Sequence, residues 1–475
     1  MSEGDDHFDV LIVGAGLSGI DAAYRLQTRC PDKSYAILEA RARIGGTWDL
    51  FRYPGIRSDS DMYTLGFPFR PWRGDKSIVE GPAIRDYIED TAREFGIDRR
   101  IRFGHRVGGA SWSSREARWT VEVLADGTAK RLTCGFLYLC GGYYDYEQGY
   151  RPTWPGEEDF AGRIVHPQHW PEDLDHAGKR VAVIGSGATA VTLVPAMAAT
   201  AAHVTMVQRS PGYVVSRPSL DPLAPRIGPA LTRLKNVALA SFFFNLARRR
   251  PERTREKLLE LARDELPEGY EVERHFGPSY NPWEQRLCLV PDGDLFRAIE
   301  EGNVSVATGE IERFTAGGLL LASGEKVPAD MIVTATGLVV KLMGGVSLDI
   351  DGAPADPAGR LVYKGAMLEG VPNLAFAFGY TNASWTLKCD LTARYVCRLL
   401  RYMDGRGYRT CMPRPQGEAA ERLALIDFSS GYIARASHVL PKQGSKRPWR
   451  VPQNYFRDVL TLGLGRVTDD SIEFR

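Results

Sequence analysis

Two glycine-rich turns carry the strongest chemical signal in this sequence, because each could seat a pyrophosphate on backbone N–H groups at the start of a helix. The first is Gly14-Ala15-Gly16-Leu17-Ser18-Gly19. The second is Gly185-Ser186-Gly187-Ala188-Thr189-Ala190, followed by Val191. In such a turn the first glycine allows the tight bend and the second lets backbone approach the phosphates. The third lets helix pack on strand, and alanine is allowed there. Each turn is followed by a charged side chain where a ribose would lie. Glu39 falls about 20 residues beyond Gly19, where a carboxylate bonds a ribose 2′-hydroxyl. Arg209 stands at the matching place after Ala190, where a cation suits the 2′-phosphate of NADPH, and Ser210 adds a hydroxyl donor. Opposite charges at the two tips imply two different dinucleotides, FAD in the first cradle and NADPH in the second.

The elements that must position these residues are legible around them. Residues 8–13 and 180–184 are short apolar runs feeding straight into glycine, which reads as buried parallel strands. Residues 20–26 read as the helix after the first turn, and residues 35–38 and 203–208 as the strands that end at the charged tips. Residues 84–95 have helical spacing. Residues 101–107 and 119–123 read as a small antiparallel insertion, and 136–140 as a strand ending in glycines. The expected fold is α/β, with two Rossmann-like dinucleotide-binding domains and a helical insert in the second. The boundaries read from the sequence are 7–150 for the first part of the FAD domain, and 151–212 with 280–325 for the NADPH domain. The insert takes 213–279, and 326–475 returns to the FAD domain and tail. Within the insert, residues 219–229 are Pro-rich and loop-like. Residues 231–246 are apolar and include Phe242-Phe243-Phe244, and Arg248, Arg249, Arg250 and Arg253 follow. The aromatics read as core. A second reading is a weak monotopic membrane contact, an apolar face beside a basic cluster.

Composition bounds the rest. The chain has 475 residues, 44% hydrophobic and 25% charged, with a formal net charge of +1. That suits two or three globular domains and gives no electrostatic case for nucleic acid. The seven cysteines form no C-x-x-C and no metal-ligand spacing, so no metal is expected and reduced thiols in a cytoplasmic protein are. The polar, acidic start argues against a signal peptide, and no apolar run is long enough to span a membrane.

Between the cradles lies Phe160-x-Gly162-x-x-x-His166-x-x-x-Trp170-Pro171. It resembles the fingerprint of the Baeyer–Villiger monooxygenases, class B flavoproteins of type I. Gly45-Gly46-Thr47-Trp48 followed by Tyr53-Pro54-Gly55-x-x-x-Asp59 is similar to the stretch that lies along the flavin in that family. The resemblance implies cofactor contacts from Ser18, Gly46, Thr47, Trp48, Asp49, Leu50, Arg57, Ser58 and Asp59, and from backbone near Val107 to the adenine. It also implies that Arg286, at the end of the segment from Gly277, stands over the flavin. A buried guanidinium needs an anion, and Asp59 is the candidate. His166 and Trp170 are assigned to coupling of the two halves. Many relatives have a lysine where this chain has Gln285, which leaves Arg209 to select NADPH. The wording of these blocks is closest to the ethionamide-activating subgroup.

The chemistry implied by the resemblance is reduction of FAD by NADPH and addition of dioxygen at flavin C4a. The resulting peroxide converts a small ketone to an ester or lactone, or oxygenates a thioether. The alternative is a flavin monooxygenase that oxygenates nitrogen or sulfur without Baeyer–Villiger activity. A disulfide reductase would need a redox cysteine pair near Glu39 to Asp59, and none is present.

Overall fold

The computed structural model describes residues 7–416, 421–426 and 431–475. The architecture is α/β and rests on two sheets. At the centre of the first, the strand His7–Val13 runs parallel to Tyr35–Leu38 on one side and to Thr128–Leu139 on the other. All three are rich in buried aliphatic side chains, as a strand covered on both faces requires. The expected antiparallel insertion is present only from His105 on: His105–Ser113, Arg118–Ala125 and Thr128–Leu139 form a meander that extends this sheet, while Ile101–Arg102, expected in the insertion, pairs parallel with Tyr35–Leu38. Late in the chain, Leu374–Phe376 returns to pair with Thr128–Leu139. The helix Trp385–Arg406 then packs beside Leu17–Arg29, the helix of the first turn, in one shared core.

The second sheet is parallel throughout, in the order Val304–Thr308, His203–Gln208, Arg180–Ile184, Met331–Thr334 and Arg163–Val165. Met331–Thr334 therefore belongs to the second sheet, so the return to the first half falls after Thr334 rather than at residue 326. The fully buried Met331–Thr334 run reaches its hydrogen-bond partners only there.

The two crossings between the halves pair with each other. Tyr144–Gly149 and Leu338–Val340 form an antiparallel ribbon. The Tyr150 N–H donates to the Gly337 carbonyl at 3.0 Å, and the Thr336 hydroxyl donates to the Tyr150 carbonyl at 2.6 Å. His166 lies flat on this ribbon. A Cβ added at Gly149 would fall 1.9 Å from its ring.

The first helix of the insert begins earlier than its prolines suggest. The helix Ala224–Arg249 starts inside the stretch expected as loop. It breaks at Gly228 (φ 76°) just before Pro229, which has no N–H for the helix ladder. The core role expected of Phe242 and Phe243 does not hold: both are exposed, and only Phe244 packs, against Trp283. Helices Pro251–Asp264 and Val272–Phe276 complete the insert. Among the described residues no helix is long and apolar enough to cross a membrane.

Candidate functional site

A cavity of about 600 Å³ lies between the halves, with walls from both. Its floor is the first glycine turn. Gly14 holds φ 103°, a left-handed conformation that favours glycine, and a Cβ there would lie 2.8 Å from the Cys140 carbonyl oxygen. Gly19 is off the cavity wall and under the turn. A Cβ at Gly19 would fall 1.8 Å from the Gly14 carbonyl oxygen, so its absence sets how closely helix meets strand. No side chain caps the helix that follows, which leaves its leading N–H groups for an anion.

Glu39 is buried at the cavity edge. One carboxylate oxygen accepts from the Ala15 N–H at 2.7 Å and the other from the Arg41 N–H at 2.9 Å. Burial raises its pKa; the two N–H groups and the Arg41 guanidinium oppose this without cancelling it. Gly46, Thr47, Trp48, Arg57, Ser58 and Val107 also line the cavity. Thr47 meets the Tyr146 hydroxyl at 3.2 Å. The Arg57 guanidinium is committed to Asp294 at 2.5 Å, which ties the first half to the second.

Two expected contacts are off the wall. Asp49 is buried against the guanidinium groups of Arg41 and Arg52, which take up its charge. Leu50 packs into the core of the second half, where an apolar side chain gains more than at a polar cavity rim.

The second turn is a more open shelf. Gly185 (φ 136°) sits against the Ala335 carbonyl, but a Cβ at Gly187 would meet nothing within 4 Å. Of this turn only Ala188 and Thr189 line the cavity. Gly185, Ser186, Gly187, Ala190 and Val191 are off the cavity wall: Gly187 is exposed, while Ala190 and Val191 are buried in the core of the second half. Arg209 and Ser210 are exposed beyond it.

Arg286 and Asp59 do meet, although they are far apart in the chain. The strand Cys288–Pro291, held parallel to Val214–Arg217, fixes the end of the Arg286 segment. Asp59 sits between Ser58, whose N–H bonds the Val79 carbonyl, and the short helix Met62–Leu65. Arg286 Nη1 is 3.5 Å from Asp59 Oδ2, with side chains 36% and 35% exposed, and both line the cavity. Arg286 Nε is buried and has no hydrogen-bond partner among the described residues. Desolvation pulls the Arg286 pKa down, but Tyr143, Asp59, Tyr144 and Tyr432 outweigh it, and the net direction is up. The side chain stays a cation.

Sequence reasoning missed the aromatic wall beside this pair. The Tyr143 and Tyr144 hydroxyls are 2.5 Å apart. Burial raises the pKa of both phenols, so they stay protonated. The Trp385 ring stacks on Tyr143 at 5.1 Å, and its N–H donates to the Ser18 hydroxyl at 2.8 Å. The available signal was position: Tyr143-Tyr144 follows immediately on the strand that ends in Gly141-Gly142. Asn382 and Ser384 do not line the cavity. Asn382 bonds the Gln453 carbonyl, and Ser384 bonds Thr64. Trp449 is core, packed on Tyr363. A floor of bare backbone at Gly14 and Gly16, aromatic walls, and an orphaned guanidinium nitrogen together fit a flat dinucleotide with an anion near Arg286.

A flavin-binding monooxygenase-like family model matches residues 67–340, and a model for NAD(P)-binding Rossmann-like domains matches residues 12–73. The chain is 55% identical over 478 residues to the FAD-containing monooxygenase EthA of Mycobacterium tuberculosis, covering 99% of this chain and 98% of that protein. It is 46% identical over 482 residues to a probable FAD-binding monooxygenase, AlmA, of Acinetobacter baylyi, covering 99% and 96%. Among solved structures, an oxidized steroid monooxygenase bound to NADP superposes with a TM-score of 0.78 at 23% identity, covering 98% of this chain and 99% of that one. A cyclohexanone-bound cyclohexanone monooxygenase gives 0.75 at 19% identity, covering 99% of each. At those identities the structures speak for the fold.

Proposed function

Since this chain belongs to the flavin-binding monooxygenase-like family, we propose that it is an FAD- and NADPH-dependent Baeyer–Villiger monooxygenase. It takes a small ketone, NADPH, a proton and dioxygen, and gives an ester or lactone, NADP⁺ and water. Thioethers are the second substrate class and give sulfoxides. The observation that carries this reading is the Arg286–Asp59 pair on the cavity wall, with Arg286 Nε unpartnered.

The first cradle is assigned to FAD. Gly14, Gly16 and the helix N-terminus hold the pyrophosphate, Glu39 accepts from a ribose hydroxyl, and the Val107 backbone meets the adenine. Gly46, Thr47, Trp48, Ser58 and Asp59 line the remainder. The chemistry that FAD supplies when bound is two-electron transfer from NADPH to dioxygen. NADPH is assigned to the second cradle, Gly185 to Val191, with Arg209 and Ser210 at its 2′-phosphate. Arg57 is assigned to holding the two halves in register through Asp294. Asp49 and Leu50 act from behind the wall, by fixing the Gly46–Trp48 segment.

Arg286 holds a fixed positive charge where negative charge develops on oxygen. Asp59 orients the guanidinium. The Tyr143–Tyr144 pair keeps a phenolic proton beside it. The reaction is placed in the cytoplasm, where NADPH is available and all seven cysteines, free and buried, stay reduced.

The test is product identification with phenylacetone and an aryl thioether. Ester from the ketone is expected; sulfoxide without ester would overturn the Baeyer–Villiger assignment. Arg286→Ala should keep the yellow flavin and NADPH consumption but lose ester formation by ~10²–10³-fold. Unchanged ester formation would remove Arg286 from the chemistry.

A further inference from the structure

One wall of the cavity is irregular backbone. Residues 377–384 form no helix or strand, yet Tyr380 and Ala383 line the cavity, as does Trp385 at the start of the helix that follows. Backbone without a ladder of its own must find its partners elsewhere. Here the C-terminal tail supplies several of them. The Thr381 N–H donates to Gln453 Oε1 at 3.0 Å, and the Asn382 side chain donates to the Gln453 carbonyl at 2.9 Å. The Tyr380 hydroxyl donates to Asp458 Oδ2 at 2.7 Å.

The same carboxylate oxygen accepts from a lysine. Lys388 Nζ lies 2.6 Å from Asp458 Oδ2, and the two side chains are 3% and 2% exposed. One atom thus ties three segments together: the wall, the first turn of the helix Trp385–Arg406, and the tail. Burial and the Asp458 charge raise the pKa of the Tyr380 phenol, so it keeps the proton it donates.

Stability alone is a poor account of this trio. Taking a lysine and an aspartate out of water costs about as much as their attraction returns, and apolar residues of similar volume often hold a core as well. The tail also has other anchors. Arg398 donates to the carbonyls of Leu462 and Gly463, and Lys364 pairs with Asp469 at 2.9 Å. What a shared carboxylate oxygen adds over apolar packing is direction, because hydrogen bonds fix angles as well as distances. Direction matters at the far end of the wall. There the Trp385 N–H donates to Ser18 of the first glycine turn, and the ring stacks on Tyr143 beside Arg286.

We propose that Lys388 and Asp458 are positioning residues: from outside the cavity they set the wall at residues 380–385 against it, and so govern how much of the dioxygen consumed reaches substrate. The placement of the wall stands without the proposed function; the effect on turnover rests on it. With the wall displaced, reacting groups are misplaced. Dioxygen, NADPH and a proton then leave as hydrogen peroxide and NADP⁺, and less substrate is oxygenated.

The experiment compares the flavin-loaded full chain with the triple variant Tyr380→Phe, Lys388→Met and Asp458→Leu, which removes both charges and leaves neither unpaired. Its unfolding temperature should stay near that of wild type. Amide hydrogen exchange of the peptide spanning 379–386, read by mass spectrometry, should lose protection. Oxygenated product per NADPH should fall about tenfold, with peroxide making up the difference. Tyr380→Phe alone buries no lone charge and should loosen the same amides to a smaller extent. Wild-type exchange in the triple variant would overturn the inference, as would lost protection with an unchanged ratio of peroxide to NADPH. If the triple variant does not fold, Tyr380→Phe carries the test, and wild-type exchange in it overturns the inference. The ratio is read with a ketone and with a thioether, so an enzyme that forms only sulfoxide sinks the Baeyer–Villiger assignment and leaves this test standing.

Discussion

Gly14 and Gly185 do the same work. Each holds a positive φ, and at each an added Cβ would strike a backbone carbonyl, that of Cys140 in one half and Ala335 in the other. Beyond that point the two cradles diverge. In the first, Gly19 lets the helix come so close that no Cβ fits, whereas the second seats Ala190 fully buried at the same place. In the first, the charged tip is Glu39, buried and held by two backbone N–H groups. In the second it is Arg209, exposed, with no ion pair recorded among the described residues. The first is roofed by Trp48, Tyr143 and Trp385, while Gly187 of the second faces open space. One motif has been built once as a closed holder and once as an open shelf. That difference suits a cofactor that stays and a cosubstrate that exchanges.

The comparison breaks most readily at the third position of each turn. Gly19→Ala forces a methyl into the Gly14 carbonyl and should cost about 1–3 kcal/mol, with loss of flavin that survives gel filtration. If flavin absorbance per chain is unchanged, the close approach is not what closes the first cradle. The shelf is probed by Arg209→Ala. Loss of one exposed charge-assisted contact should raise KM for NADPH about tenfold and leave KM for NADH nearly unmoved. Equal effects on both would show that Arg209 does not read the 2′-phosphate.

A smaller effect separates the two tips by pH. Burial raises the Glu39 pKa, so the folded state binds its proton more tightly than the unfolded chain does. This group therefore costs nothing below the ordinary carboxylate value of about 4.3, and stability falls as pH rises through the raised folded value. In flavin-free protein, Glu39→Gln should remove that slope, so the wild-type unfolding temperature should fall relative to the variant as pH rises. A pH-independent difference would show that burial does not govern this carboxylate. The smallest functional change is expected from Ala190→Gly. The shelf helix already tolerates a Cβ, so helix propensity and one buried methyl are lost, together ~2 kcal/mol, and NADPH kinetics should stay as they are.

The parts of the fold that were legible in the sequence are those written in short segments. Strand, glycine turn, helix and charged tip lie within a few tens of residues, and their spacing follows from the backbone geometry of one βαβ unit. Two strands of the first half's meander were legible in part, but Ile101–Arg102 was misplaced in it and the third strand, Thr128–Leu139, was read only from residue 136 and not as part of it. Asp49 and Leu50 were not legible. A motif that runs beside a cavity has an inward and an outward face, and only the neighbours, Arg41 and Arg52 for one and the second core for the other, decide which residue takes which. Phe242 and Phe243 failed as core for a related reason. An apolar residue on a helix is buried only if something packs against that face, and nothing in the spacing said what would.

The sequence by itself determined that two dinucleotide cradles exist and that their tips carry opposite charge, because a few adjacent dihedral angles and one strand length suffice to build each. Only the tertiary structure decided that Arg286 meets Asp59, that Tyr143, Tyr144 and Trp385 wall that pair, and that the two crossings pair into a ribbon under His166. Those contacts join residues tens to hundreds of positions apart. Their geometry is set by how two sheets and an insert pack, which no local pattern of residues encodes.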